Sequence, residues 1–120
     1  MPIDERGGLR ILRLGPDGPL VSTSEETADL IGSAWFERAN VIAVPVARLD
    51  PAFFDLRSQM AGGLTQKLVN YHLKLVVIGD VSPFEAASGA FRDYVAESNR
   101  GGHVWFVPDE AALDRRLAAG

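Results

Sequence analysis

Two kinds of hydrophobic pattern alternate along the chain. Short runs of branched apolar residues, typical of β-strands, lie at residues 9–14, 40–46, 73–80 and 103–107. Between and after these runs, apolar residues recur every three or four positions, which is typical of one face of a helix. With a short apolar segment at residues 20–22, the predicted order is β-β-α-β-α-β-α-β-α. This order predicts an α/β fold in which a single mixed, mostly parallel sheet carries helices packed on it.

The start of the chain is predicted to form a leader followed by a hairpin. Residues 1–8 show neither pattern, and we expect them to be a flexible leader to one domain that spans residues 1–120. The sequence GPDG at residues 15–18 is typical of a turn, because Pro16 fixes its own φ angle. We therefore expect residues 9–14 to pair with residues 20–22 as an antiparallel hairpin.

The first helix is predicted to begin at Thr23 and Glu26, which fit the spacing of a capping box. Its predicted inner face contains the apolar residues that follow at helical spacing, which are Ala28, Ile31, Ala34 and Trp35. We expect both tryptophans of the chain, Trp35 and Trp105, to belong to the core.

A second, continuous helix is predicted from Pro51 to Tyr71. Asp50 is a good N-cap and proline suits the first helical position. Its predicted inner face contains Phe53, Leu56, Met60, Leu64, Leu68 and Tyr71. Gly62 and Gly63 each cost about 1 kcal/mol relative to alanine inside a helix. We therefore expect either close approach by a neighbouring backbone or a kink at these glycines.

Small residues cluster on this helix and on the next, which is predicted to begin at Ser82 and to end before Gly101. The clusters are AGG at residues 61–63 and AASGA at residues 86–90. We favour internal packing, because crossover helices that lie side by side on a sheet need to come close. The alternative is a contact face for another protein or for a second copy, that is, a homodimer.

Composition excludes several kinds of chemistry. The 120 residues include no cysteine, so disulfides, thiolate metal sites and a cysteine nucleophile are ruled out. The net charge of −4 argues against non-specific nucleic-acid binding. No run approaches the ~18 apolar residues of a membrane span, and the N-terminus lacks the apolar stretch of a signal peptide. We expect a cytoplasmic protein with no nucleic-acid or membrane partner.

The carboxyl ends of the predicted strands offer one candidate site. Asp50, Asp80 and Asp109 each follow a strand and precede a helix, and ligands bind at this edge of open α/β sheets. Three carboxylates there could hold Mg²⁺, although helix capping alone also explains them. Arg57 and Arg100 are candidate partners for an anion. The alternative function is therefore a domain that binds a small molecule, Mg²⁺ or an anion, or an enzyme, and that uses Asp50, Asp80, Arg57 and Arg100.

Sequence motifs give this alternative little help. Neither glycine-rich phosphate loop, G-x-G-x-x-G or the Walker pattern, occurs in the chain. No serine lies in the G-x-S-x-G context of a hydrolase. We expect no cofactor, and the chain is predicted to be a binding domain rather than an enzyme.

Two long segments carry a resemblance to a known family. The segments LDPAFFDLRSQMAGGLTQKLVNYHLKLVVIGD and FRDYVAESNRGGHVWFVPD, with the words FFDLR, QKLVNY and ESNRG, resemble the bacterial family described as domain of unknown function 4180. The resemblance spans about residues 9–117. It implies kinship with an uncharacterised family and supplies no activity or catalytic residues.

The element order and the strand–Asp–helix junction at residues 46–54 also resemble STAS-like domains, the anti-sigma-factor antagonist architecture. In that family a serine at the helix start is phosphorylated to switch partners. The matching positions here, 50–54, read DPAFF and contain no serine or threonine, and Ser58 lies about two turns later. The resemblance implies a regulatory module without that switch.

The leading hypothesis is therefore a STAS-like regulatory or protein-interaction module that binds an unknown protein partner. Its interaction surface is expected on the second helix. The residues predicted to form this surface are Phe53, Phe54, Arg57, Gly62 and Gly63.

Overall fold

The computed structural model describes residues 3–6, 8–18, 20–21 and 24–118. Its strands are β1 (Ile3–Arg6), β2 (Leu9–Arg13), β3 (Val41–Pro45), β4 (Lys74–Ile78) and β5 (Val104–Val107). Its α-helices are α1 (Ser24–Phe36), α2 (Met60–Asn70), α3 (Ser82–Ala87), α4 (Gly89–Arg100) and α5 (Glu110–Ala118). Three short 3₁₀ helices, at Val46–Arg48, Pro51–Phe54 and Leu56–Ser58, connect β3 to α2.

The five strands form one sheet in the order β1-β2-β3-β4-β5. The β1–β2 pair is antiparallel and the other pairs are parallel. Because consecutive strands are neighbours and β-α-β crossovers are right-handed, the crossover helices α1 to α4 lie on one face of the sheet. Helix α5 follows the last strand and packs on the opposite face. The predicted α/β fold with a single mixed, mostly parallel sheet is confirmed.

The hairpin differs from the prediction. Residues of the expected leader form strand β1, in which Ile3 pairs with Leu12 and Arg6 pairs with Leu9. Gly8 has φ +82°, a conformation that glycine adopts without steric cost, and lies in the turn between these strands. The expected second strand of the hairpin provides only an isolated bridge from Val21 to Leu49, and residues 22 and 23 lie outside the described residues.

Each face of the sheet has its own core. The larger core lies under α1 to α4 and contains the side chains of alternate strand residues, such as Ile42 and Val77. It also contains five rings, which we call the phenylalanine cluster: Phe53, Phe54, Phe84, Phe91 and Phe106. The smaller core lies under α5 and contains Trp105 and Leu113.

The predicted second helix is interrupted before its α-helical part begins. Ser58 Oγ donates to the carbonyl oxygens of Ala52 and Asp55 and accepts from Met60 N–H. Such side-chain bonds to the backbone compete with helical hydrogen bonds. Gln59 then adopts a left-handed conformation, with φ +63°, and α2 starts at Met60. The prediction of one continuous helix from Pro51 is therefore wrong for its first nine residues.

The predicted third helix is also divided in two. Ser88 has an extended backbone and ends α3, and its hydroxyl accepts from Phe91 N–H at 3.1 Å. Ser88 thus serves as the N-cap of α4. The segment Ala86–Ala90 consequently spans a helix junction.

The chain is compact, with a radius of gyration of 13.4 Å. Among the described residues, no helix is both long enough and apolar enough to span a membrane.

Candidate functional site

The three strand-end aspartates lie at the predicted edge of the sheet, and each accepts a hydrogen bond from a backbone N–H of the helix that follows it. Asp50 Oδ1 accepts from Ala52 N–H at 2.8 Å, and Asp80 Oδ1 accepts from Ser82 N–H at 2.9 Å. Asp109 Oδ1 accepts from Ala112 N–H at 2.8 Å. Helix capping therefore accounts for all three carboxylates.

The electrostatics of this edge agree with capping. Hydrogen bonds from the side chain and the backbone N–H of Ser82 lower the pKa of Asp80, because they stabilise the charged carboxylate. Within the described part of the chain, no three histidine, aspartate or glutamate side chains come together in a way that could hold a metal ion.

The two candidate arginines lie at opposite edges of the sheet. Arg57 is in the connection that leads from the carboxyl end of β3 to α2, where it forms an exposed ion pair with Asp55 at 3.1 Å. This pair lowers the pKa of Asp55. Arg100 ends α4 directly before β5 begins, so it lies at the amino edge. The structure therefore does not bring Arg100 together with Asp50 and Asp80.

The predicted interaction surface is only partly on the surface. Phe53 is 0% exposed and Phe54 is 6% exposed, because the 3₁₀ helix that carries them folds back onto the sheet. Phe54 stacks on Phe84, with ring centroids 4.0 Å apart. The prediction that these two rings form a docking surface is therefore wrong. Arg57 is exposed, and it lines a shallow groove beside Phe54 and Phe84 of about 450 Å³.

Gly62 and Gly63 lie on the exposed side of α2. A Cβ atom added at either glycine would meet no atom within 4 Å, so no neighbouring backbone approaches them. The kink that we expected at these residues lies instead at Gln59. The explanation by close internal packing therefore fails for both glycines.

The most exposed aromatic side chains lie elsewhere, at the amino edge of the helical layer. Trp35 is 73% exposed, Phe36 is 86% exposed and Tyr71 is 56% exposed. Trp35 and Phe36 form the last turn of α1, and Tyr71 is the C-cap of α2. Because α1 and α2 are neighbours on the same face of the sheet, the three side chains project from one end of the helix pair.

A groove runs between α1 and α2. The half that lies near the amino edge of the sheet has a volume of about 590 Å³. It is lined by residues that include Gly32, Trp35, Lys67 and Tyr71. The half that lies near the carboxyl edge has a volume of about 350 Å³, and it is lined by residues that include Gly63 and again Lys67. Lys67 thus marks the middle of the groove. We call this groove, together with the outward side of α1, the α1–α2 face.

Both helices end beside the exposed aromatics in the same unusual way. Arg38 and His72 have φ angles of +57° and +60°. Each is followed by a residue whose N–H bonds a carbonyl five residues back: Ala39 to Ala34 at 2.8 Å, and Leu73 to Leu68 at 2.8 Å. This pattern is the Schellman motif, which usually has glycine at the left-handed position. Arginine and histidine there cost backbone energy that glycine would not.

Charges are unevenly distributed along the α1–α2 face. Glu25 and Asp29 are exposed on the first half of α1, whereas Arg38 is exposed just after its end. The outward side of α1 is therefore acidic in its first half and is followed by a basic residue, while Lys67 lines the groove beside it.

Sequence reasoning missed this face because it placed Trp35 in the core. The buried residues of α1 are Thr27, Leu30, Ile31 and Ala34, whose i, i+3, i+4, i+7 spacing is that of an inner face. This spacing leaves positions 35 and 36 outside it. The prediction put Ala28 on the inner face, whereas the structure buries the polar Thr27 there. Trp105 is 8% exposed, in agreement with the prediction of a core tryptophan.

Fold and surface together define a class of protein: a small single-sheet α/β domain with an exposed aromatic helix face. The chain belongs to the family described as Domain of unknown function (DUF4180), whose model matches residues 6–117. No curated protein and no solved structure matches the chain.

Proposed function

We propose that this chain is a protein-interaction module and that its α1–α2 face binds the partner. The observation that carries the proposal is the exposure of two consecutive aromatic side chains, Trp35 at 73% and Phe36 at 86%, at the end of a regular helix. Tyr71 extends the same patch onto α2.

The physical argument is the cost of leaving such side chains in water. Each large aromatic side chain buries about 150–250 Å² when it is covered, and apolar surface gains about 25 cal/mol per Å² on burial. Tryptophan and tyrosine are also enriched among the residues that dominate binding energy at interfaces. A partner that covers Trp35, Phe36 and Tyr71 would therefore gain affinity from all three.

The regulatory, STAS-like part of the hypothesis stays a prediction. No serine or threonine lies at the helix start after β3, and the nearest hydroxyl, Ser58 Oγ, makes three hydrogen bonds to the backbone. A phosphate on Ser58 would break those bonds. Regulation through the α1–α2 face does not need this residue.

The ligand-binding alternative has weaker support. Asp50 and Asp80 each accept a hydrogen bond from the helix that follows, and Arg100 lies at the other edge of the sheet. A small-molecule site needs a few polar groups that converge in one pocket, and Asp50, Asp80, Arg57 and Arg100 do not provide them.

Site-specific photo-crosslinking in the native host tests the proposal. A photoreactive phenylalanine analogue replaces Phe36, and the control carries it at Ala111, an exposed residue of α5 on the opposite face of the sheet. We expect a discrete crosslinked protein band from position 36 and none from position 111. Absence of a band at position 36 under conditions where the chain is expressed and folded would overturn the proposal.

A further inference from the structure

The outward side of α1 is symmetric in residue size about position 30. Ala28 and Gly32 lie two positions on either side of it, and Glu25 and Trp35 lie five positions on either side. At 1.5 Å per residue, the two small residues are about 6 Å apart and the two larger ones about 15 Å apart along the helix axis. The four side chains are all exposed.

Helix α2 places a small residue and a large one at equal distances from Lys67. Gly63 lies four positions before Lys67 and the exposed Tyr71 lies four positions after it. Lys67 lines both halves of the groove beside residues 27 and 28 of α1, so the two midpoints are at a similar height. Across the midpoint of each helix, Trp35 is therefore paired with Glu25 on α1, and Tyr71 is paired with Gly63 on α2.

We infer that the protein covering the α1–α2 face is a second copy of this chain, related by a two-fold axis that runs across both helices. This inference rests on the proposed function of the face. The axis makes α1 antiparallel to its counterpart and α2 antiparallel to its own. Ala28 of each copy then faces Gly32 of the other, and Tyr71 faces Gly63. An interface of this kind uses the same patch on both subunits.

Charge distribution favours this antiparallel arrangement. Glu25 lies at the acidic end of the face and Arg38 at the basic end. The two-fold axis places the acidic end of one copy against the basic end of the other, so Glu25 of one copy lies beside Trp35 and Arg38 of the other. A parallel arrangement would instead place like charges together. Lys67 and its symmetry mate both lie near the axis, and their long flexible stems let the two ammonium groups separate toward the acidic residues of the other copy.

The exposed aromatics supply a large part of the area that a dimer needs. At about 200 Å² per aromatic side chain, the exposed fractions of Trp35, Phe36 and Tyr71 supply roughly 400 Å² from each copy. The pair thus covers roughly 800 Å² from these side chains alone, while a specific interface buries about 1,200–2,000 Å² in total. The other exposed residues of the face, which include Glu25, Ala28, Asp29 and Gly32, have to supply a remainder of at least about 400 Å².

The exposed helical glycines fit the same explanation. Gly32 and Gly63 have open space where a Cβ atom would lie, so nothing inside the chain requires glycine. Each nevertheless weakens its helix by about 1 kcal/mol relative to alanine. Close approach of a second helix would need small residues at both positions.

Sedimentation equilibrium of the purified chain over a wide concentration range tests the inference. We expect a reversible monomer–dimer equilibrium. Trp35→Ala should raise the dissociation constant by about thirtyfold or more, the size of an interface hot spot. Gly32→Leu should raise it by about tenfold or more, because leucine holds the helices apart. Thermal unfolding of each variant at low concentration verifies that the monomer stays folded.

The matched control is Ala111→Leu, which adds the same side chain to an exposed helical position on the opposite face. It should leave the dissociation constant unchanged. A chain that stays monomeric at every concentration overturns the inference that a second copy covers the face. In that case, a crosslink from position 36 to a different protein would still support the proposed function. A dimer that neither Trp35→Ala nor Gly32→Leu weakens overturns the assignment of the face.

Discussion

Of two aromatic regions in this molecule, one is buried in the core and the other is exposed to solvent. The phenylalanine cluster lies at the carboxyl side of the helical layer, with ring contacts such as Phe54 on Phe84 at 4.0 Å and Phe91 on Phe106 at 5.9 Å. The exposed aromatics of the α1–α2 face lie at the amino side and project away from the sheet. Among the packed rings, Phe53 and Phe54 come from an irregular segment, whereas the exposed Trp35 and Phe36 come from a regular helix.

Backbone geometry explains this difference. Asp50, Asp55 and Ser58 form local hydrogen bonds that hold the connection after β3 in short 3₁₀ turns, and these turns direct Phe53 and Phe54 inward. In α1, the helical period fixes the direction of every side chain once the inner face is set. Trp35 and Phe36 then point outward whatever their hydrophobicity.

The largest expected loss of stability comes from removing a buried ring of the phenylalanine cluster. Phe53→Ala should lower the free energy of unfolding by about 3–5 kcal/mol, because it removes a fully buried ring and leaves a cavity. Phe36→Ala should change the stability of the monomer by less than about 0.5 kcal/mol. Urea unfolding of both variants measures this contrast. Equal losses from the two substitutions would contradict the assignment of buried and exposed regions.

The two tryptophans provide a second matched pair. Trp105 Nε1–H donates to the Gly101 carbonyl oxygen at 3.0 Å, and its ring centre lies 3.9 Å from Lys74 Nζ and 4.2 Å from the Arg116 guanidinium carbon. Trp105→Phe should cost about 1–3 kcal/mol, from the lost hydrogen bond and the weaker cation–π contacts. Trp35→Phe should cost almost nothing in the monomer. The prediction fails if the exposed tryptophan proves the more costly of the two in thermal or urea unfolding.

Glycine substitutions at the helix ends beside the exposed aromatics should raise the stability of the monomer instead of lowering it. Arg38→Gly and His72→Gly should each stabilise the monomer by about 0.5–1 kcal/mol, because glycine relieves the left-handed backbone conformation. Arg38→Ala is the control, since alanine removes the side chain but keeps the unfavourable conformation. If alanine stabilises as much as glycine in urea unfolding, backbone strain is not the cause.

The smallest expected effect is at the strand-end aspartates. The pKa of Asp80 is lowered in the folded chain by its hydrogen bonds to Ser82. Its contribution to stability is therefore present above the unfolded pKa of about 3.9 and is lost as the pH falls through the folded pKa. Asp80→Asn keeps a capping oxygen and should remove this small acid sensitivity. An NMR titration in which Asp80 titrates at or above about pH 3.9 would contradict the capping geometry.

The central strands of the sheet were easier to predict from the sequence than the edge strand and the helices around them. Runs such as Val41–Pro45 and Lys74–Ile78 are apolar on both sides, because helices cover both faces of the sheet, so their strand character was clear. Strand β1 has the sequence IDER, and only Ile3 is apolar. An edge strand paired on one side needs few apolar residues, so its sequence carried little signal.

The candidate site was harder to predict for a related reason. Asp50 and Asp80 fit both capping and ligand binding, and only their hydrogen bonds distinguish the two. Gly62 and Gly63 fit both internal and external contacts, and only the empty space around them separates these alternatives. The exposure of Trp35 depended on which face of α1 is buried, which is set by packing against the sheet.

The most direct test of the account is the accessibility of Trp35 to a dissolved quencher as the protein is diluted. The variant Trp105→Phe leaves Trp35 as the single fluorophore of its kind, and iodide quenching is measured across a wide range of protein concentration. We expect strong quenching in dilute solution and weak quenching in concentrated solution, because a second copy covers the indole. Weak quenching even at the lowest concentration would mean that Trp35 packs within its own chain, and strong quenching at every concentration would mean that no second copy covers it.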